Sequence, residues 1–210
     1  MTANGGGEYL VTSVEQLEAI YGEPYGPSVV KEIDHVNAHY RAFIEAAPFC
    51  ALATSGPGGL DCTPRGDLPG FVRVQDEKTL LIPDRPGNNR IDTMRNLVAD
   101  PRISLMFLIP GCGEAIRVNG RAVISIDPHL RNSLAHNGKP PRSVLIVTVE
   151  RVYFQCTKAI IRSRLWDPAA RIDRKTLPSA GTILAGISKG AINSEAHDTA
   201  APERIKATIY

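Results

Sequence analysis

Between residues 49 and 156 the chain is cut into short apolar runs by turn-forming residues, and this punctuation constrains the fold more than any other feature. Runs at 49–54, 60–63, 71–74, 79–82, 103–109, 115–126 and 143–156 are rich in β-branched and aromatic residues, and each is predicted as a strand. Ser55-Gly56-Pro57-Gly58-Gly59, Asp76-Glu77-Lys78 and Pro110-Gly111-Cys112-Gly113 separate them as turns. Gly and Pro together make 34 of the 210 residues, above the usual share of about 12%, as many short strands require. Two helices interrupt the series. One spans 90–98, with Ile91, Met94, Leu97 and Val98 on one face, and Pro101 ends it; the other is a short one at 127–135. The order is not a βαβ series, so the expected fold class is mainly β: an antiparallel β-barrel with peripheral helices.

The flanks are helical in pattern. Ser13 and Gln16 form a capping box that starts a short helix through Ile20. Val29, Ile33, Val36, Tyr40, Phe43 and Ile44 recur at three and four, which predicts one long helix over 28–46, stopped by Pro48. Residues 158–165 and 168–174 also read as helical, and the polar stretch beyond Gly190 as partly disordered. The expected organisation is an N-terminal extension at 1–27, a barrel domain at 28–176 including the leading helix, and a partly flexible C-terminal extension at 177–210.

Several function classes are excluded at this level. Lys and Arg number 24 against 22 Asp and Glu, a net charge of +2 without a basic stripe, so no nucleic-acid partner is expected. No apolar run approaches ~18 residues and the start has no signal-peptide pattern, so no membrane partner is expected and the cytoplasm is the default compartment. Cys50, Cys62, Cys112 and Cys156 are scattered, which suits reduced thiols rather than a metal centre. His35 and His39 would share a face of the long helix, but no third ligand accompanies them, and no metal is expected. GxGxxG and GxxxxGK[ST] are both absent.

Two segments carry chemistry. Thr63-Pro64-Arg65-Gly66-Asp67 places an arginine at a strand end beside a glycine, and the guanidinium fork fits phosphate or carboxylate bidentately. Asp84-Arg85-Pro86-Gly87-Asn88-Asn89-Arg90 runs from a strand into a helix, where free backbone N–H groups favour an anion. Asn88 and Asn89 add amides there and Arg90 a fixed charge. Together with Arg65 they form a candidate phosphate site.

FCALATS, CTPRGD, LLIPDRPGNNRIDTMRNLVADPRISLMFLIPG, EAIRVNGRA and CTKAIIRSRLWDP, in this order, resemble the pyridoxamine 5′-phosphate oxidase-like FMN-binding proteins over about residues 40–168. The match is to a bacterial subgroup of unassigned substrate. The resemblance implies a split β-barrel, one FMN per subunit and a homodimer with FMN at the interface. It places Arg65 on the FMN phosphate. Asn88, Asn89 and Arg90 stand where the family has Ser-Arg-Lys, and Leu81, Ile82 and Pro83 lie along the isoalloxazine ring. Thr63, Pro64 and Asp67 are expected beside the cofactor. Lys158, Arg162, Ser163 and Trp166 are expected to approach the partner's flavin. The Arg-x-His element that grips the substrate phosphate in pyridoxamine phosphate oxidases does not occur after Arg142, so oxidation of that substrate is not expected. The implied activity is a flavin-dependent oxidoreductase with a nicotinamide or similar donor and an unknown small substrate; no catalytic side chain is assigned. The alternatives are a flavin- or haem-binding module without turnover, in which His39 or His197 would ligate haem, and a deazaflavin-dependent reductase.

Overall fold

The structure is a computed structural model and describes residues 9–210. Val14–Tyr21 forms α1, started by Ser13 Oγ accepting the Gln16 N–H as the capping box predicts. Gly26–Val30 (α2) and Ala38–Ala46 (α3) follow. They are not the single helix predicted over 28–46. Ile33 leaves the helical path to exchange two backbone hydrogen bonds with Val152, and Asn37 then caps α3 by accepting the Tyr40 N–H at 2.9 Å. A non-local strand contact and a good N-cap together outweigh the helical periodicity. His35 consequently lies in the connection and His39 on α3, so they share no helix face. Among the described residues no cluster of three or more His, Cys, Asp or Glu is placed to hold a metal.

Phe49–Gly56 (β1), Gly59–Gly66 (β2), Arg73–Val74 (β3) and Thr79–Asp84 (β4) come next. Asp92–Ala99 is α4, followed by Arg102–Leu108 (β5) and Ala115–Ser125 (β6). Pro128–Ser133 is α5 and Ser143–Gln155 is β7. All pairings are antiparallel, in the order β2-β1-β5-β6-β7-β4-β3. The fold is mainly β, as expected. Alternation along β5 turns Ile103, Leu105 and Phe107 inward to meet Ile44, Leu52, Leu80, Ile82, Val118 and Val147 in one core.

The sheet rolls up without closing. β2 and β4 are not hydrogen-bonded to each other, yet Arg65 and Asp67 at the end of β2 reach Asp84 and Arg85 at the end of β4. Side chains, not a strand ladder, therefore span the seam. A bulge between Asn119 and Gly120 bends the long β6–β7 pair, as an extra residue in one strand does.

Lys158–Ser163 forms α6, and 168–174 gives only short 3₁₀ turns at Pro168–Ala170 and Arg174–Thr176. Ala180–Ile187 (α7) packs against Ser194–Thr208 (α8), so the stretch beyond Gly190 carries a helix that its polar composition did not announce. Asp198 joins the pair by accepting the Ser179 hydroxyl and, at 2.8 Å, the Gly181 N–H. No described helix is long and apolar enough to cross a membrane.

Candidate anion and cofactor site

The open seam holds a cavity of about 290 Å³ between β2 and the loop from β4 to α4. Four arginines line it, Arg65, Arg85, Arg90 and Arg142, against three carboxylates, Asp61, Asp84 and Asp92. Alternation along β2 sets Asp61, Thr63 and Arg65 on its more buried side and leaves Pro64 exposed and off the cavity surface.

Arg65 is held loosely. Its side chain is 26% exposed, and its nearest acid, Asp84, stands 3.9 Å away. Burial lifts the Asp84 carboxyl above its usual range, opposed by Arg65 and Arg142. The guanidinium fork of Arg65 is therefore not saturated by a close carboxylate and keeps donors for an incoming anion.

The loop is shaped by its asparagines. Asn88 Oδ1 accepts the Arg90 N–H at 3.1 Å. Asn89 is left-handed (φ 60°) and its Oδ1 accepts from Arg142 Nη1 at 2.6 Å. Neither caps α4. The N-cap is Ile91, itself left-handed at φ 54°, and it makes no side-chain cap hydrogen bond. A β-branched residue in this region costs roughly 1–3 kcal/mol, and such strain gathers at ligand-binding loops. The first N–H groups of α4 thus begin beside the cavity without a side-chain cap, next to Arg90, whose Nε donates to Asp92 at 2.7 Å. Thr93 anchors the helix by donating its hydroxyl hydrogen to Asp61 at 2.9 Å.

The other expected site residues lie elsewhere. Asp67 does not line the cavity. Its side chain is 2% exposed and accepts from Arg85 Nε (2.9 Å), the Tyr210 hydroxyl (2.8 Å) and the Leu68 N–H (2.7 Å). Its oxygens are committed, so it is not available to the edge of a flavin ring in this arrangement. Leu81 and Ile82 are each 1% exposed and Pro83 is buried; Ile82 packs in the main core and Leu81 in a separate cluster with Leu134 and Val144, and none of the three lines the cavity. Lys158, Arg162 and Ser163 are exposed on α6, away from the cavity wall, and Ser163 donates to the Ile160 carbonyl at 3.1 Å. Trp166 is fixed by its Nε1–H donating to the Cys112 carbonyl at 2.6 Å. Of the expected residues, the structure brings together Thr63, Arg65, Asn88, Asn89 and Arg90. Sequence reasoning did not select Asp61, Arg85 or Arg142. Arg85 stood within the quoted loop; Arg142 reaches the site because the β4–β7 register pairs Asp84 with Ser143, a contact that local sequence does not encode.

An antiparallel barrel left open along one seam, with an arginine-rich cavity in the opening, is a split barrel. The sequence pattern of the pyridoxamine 5′-phosphate oxidase family matches residues 36–156, more than half of the chain, and the chain belongs to this family. No curated protein matches it. Among solved structures it is similar to HupZ from Group A Streptococcus: 19% identity and a TM-score of 0.46, covering 56% of this chain and 91% of that one. A Clostridium acetobutylicum protein related to general stress protein 26 shows 15% identity and a TM-score of 0.45, with 56% and 86% covered. An F420 reductase shows 20% identity and a TM-score of 0.40, with 57% and 98% covered.

Proposed function

We propose that this chain is an FMN-binding flavoprotein and a flavin-dependent oxidoreductase acting on a small substrate. The observation that carries the reading is the cluster of Arg65, Arg85, Arg90 and Arg142 around the uncapped start of α4. This donor set suits a phosphate monoester: planar forks, a fixed positive field and free backbone N–H groups. Bound flavin would supply the hydride chemistry, while the chain binds and orients it. Arg65 and Arg90 would neutralise the phosphate, Asn88 and Asn89 would shape the loop around it, and Thr63 would face the ribityl chain.

The cavity is at the lower limit for a site that encloses a whole cofactor, which usually needs about 300–1,000 Å³. It suits the phosphate end, so the ring requires a further wall, and a second copy of the chain is the proposed source. Lys158, Arg162, Ser163 and Trp166 are the proposed contributors from that copy. Exposed apolar side chains support this reading: Leu17, Ile20, Tyr21, Tyr25, Val29 and Val30 are all exposed on α1, α2 and the connection between them. Sedimentation is expected to give twice the chain mass of 22.7 kDa; a monomer that still binds FMN tightly would remove the shared-site geometry.

The cofactor is tested by titration. FMN is expected to bind more tightly than riboflavin, and Arg65→Ala to weaken FMN at least tenfold, since a charged hydrogen bond contributes about 1.5–3 kcal/mol. Equal affinity for FMN and riboflavin would refute the phosphate site. The absorption spectrum of the purified protein distinguishes flavin from deazaflavin or haem. Anaerobic mixing of the loaded protein with NADH and NADPH completes the test: bleaching of the flavin supports the oxidoreductase, and no bleaching by either favours a binding module.

A further inference from the structure

Two segments outside residues 36–156, the stretch that matches the family, leave apolar surface in the open. The first is the arm from Tyr9 to Val30, which carries α1 and α2. Val14, Leu17 and Tyr21 stand at i, i+3 and i+7 on one face of α1, with Ile20 beside them. Glu15 and Glu18 run along the edge of that stripe. All four apolar side chains are exposed, and neither α1 nor α2 buries a residue. α1 has only 8 residues, whereas a helix alone in water needs about 12–15 to be stable. The stripe therefore requires a covering surface that its own copy does not supply.

The second segment, 158–178, contains α6 and the two 3₁₀ turns. α6 also buries nothing, and Ile161, Leu165, Ile172 and Leu177 are exposed along the segment. Its charge is opposite to that of the arm. The arm holds Glu15, Glu18 and Glu23 without any Lys or Arg, a net charge of −3. None of these glutamates forms an ion pair among the described residues. In 158–178, six Lys and Arg against two Asp give a net charge of +4. Arg164 is taken up by Asp167 at 2.6 Å, and Arg174 by the Leu177 and Pro178 carbonyls. The side chains of Lys158, Arg162, Arg171 and Lys175 have no hydrogen-bond or ion-pair partner among the described residues.

Both segments leave the barrel at one corner. Ile33 pairs with Val152, and Lys31 Nζ lies 4.9 Å from the centre of the Phe154 ring, so the arm departs beside the end of β7, just before α6 begins. We infer that this corner is an interaction surface for a second copy: the acidic arm of each copy docks across residues 158–178 of the other. Two-fold symmetry makes the contact reciprocal, since each corner meets its own image. Apolar side chains of the two segments cover each other, and the glutamates meet the unpaired cations, which selects the partner and fixes the register. The inference rests on the reading that a second copy brings Lys158, Arg162, Ser163 and Trp166 to the flavin site. The arm would then hold α6 from the same copy whose flavin α6 serves.

Carbodiimide cross-linking of the full chain tests it, with light and isotopically heavy copies refolded together so that mixed pairs form. The reagent joins neighbouring carboxylate and ammonium groups with loss of water, and mass spectrometry tells light–heavy links from links within one copy. Links from Glu15, Glu18 or Glu23 to Lys158 or Lys175 are expected between light and heavy copies. Links confined to one copy, or none between these segments, would overturn the exchange. Sedimentation supplies a second readout. Glu15→Lys combined with Glu18→Lys is expected to weaken association roughly tenfold or more, and adding Arg171→Glu and Lys175→Glu to restore it, since like charges across an interface repel. All four side chains are exposed, so these substitutions leave the barrel core untouched. Association indifferent to the first pair would also overturn the exchange. A dimer without light–heavy arm links removes the exchange and keeps the second copy, whereas a native chain that stays monomeric removes both. Light–heavy links in a chain that does not bind FMN keep the exchange and remove the cofactor.

Discussion

Gly120→Val is expected to cost about 3 kcal/mol or more, enough to leave the barrel largely unfolded at moderate denaturant. Gly120 lies at the bulge where β6 meets β7, and a Cβ built there would overlap the Thr148 carbonyl oxygen and stand 3.0 Å from its carbon. The obstacle is backbone, not a side chain that can rotate away. Relief requires moving Thr148 and Glu150 apart, which breaks the pairing of the longest strand with both of its neighbours, β6 and β4. Even Gly120→Ala meets the same oxygen, so it too is expected to be severely destabilising. Gly58→Ala, in the β1–β2 turn with nothing within 4 Å, is the control and is expected to change stability by less than about 0.5 kcal/mol. Urea midpoints for the three variants decide the matter. Gly120→Ala as stable as the control would mean that the bulge accommodates a side chain.

What could be read from the sequence follows from the range of the forces involved. β1, β5 and β6 were legible because alternation and turn residues act over a few neighbours; α4 was legible as a helix, but its predicted apolar face was not the buried one, since Thr93, Asn96 and Leu97 are buried while Ile91 and Val98 are exposed. The helix expected over 28–46 failed at Ile33, where the deciding hydrogen bonds come from Val152, more than a hundred residues away. α8 was missed for a similar reason. Its composition is polar and Pro202 lies inside it, but the Asp198 contacts with Ser179 and Gly181 hold it against α7. In the candidate site, Arg65 and the Asn88-Asn89-Arg90 loop announced themselves by local chemistry. Arg142 did not, since only the β4–β7 register brings it to Asn89. Asp67 shows the converse. Adjacent to Arg65 in a suggestive motif, it was expected beside the cofactor, yet the rolling of the sheet turns it to Arg85 and Tyr210.

That placement makes Asp67 the source of the other large effect. Asp67→Ala is expected to destabilise the protein by about 3–5 kcal/mol, the usual consequence of removing one member of a buried ion pair. The Asp67 side chain is 2% exposed and Arg85 19%, so the guanidinium left behind would be poorly solvated. Two other partners, the Leu68 N–H and the Tyr210 hydroxyl, would lose their acceptor as well. Because Asp67 and Arg85 tie β2 to β4 across the open seam, the loss falls where no strand ladder can compensate. The pH dependence has a definite sign. Burial raises the Asp67 carboxyl, but the Leu68 N–H, the Tyr210 hydroxyl and the Arg85 guanidinium outweigh it and hold the carboxyl below its ordinary value of 3.8. A carboxylate depressed by folding stabilises fully above its unfolded pKa, near 4, and that stabilisation drains away as pH falls through the lower folded value. Asp84 runs the other way: burial raises its pKa against Arg65 and Arg142, so its contribution fades as pH rises through the folded value. Denaturant unfolding of the native chain and of Asp67→Ala between about pH 2 and pH 7 reads both effects. The gap between the two is expected to be widest at neutral pH and to narrow in acid. A gap that stays constant down to the lowest pH would mean that the Asp67 charge contributes nothing and that only its packing holds the seam.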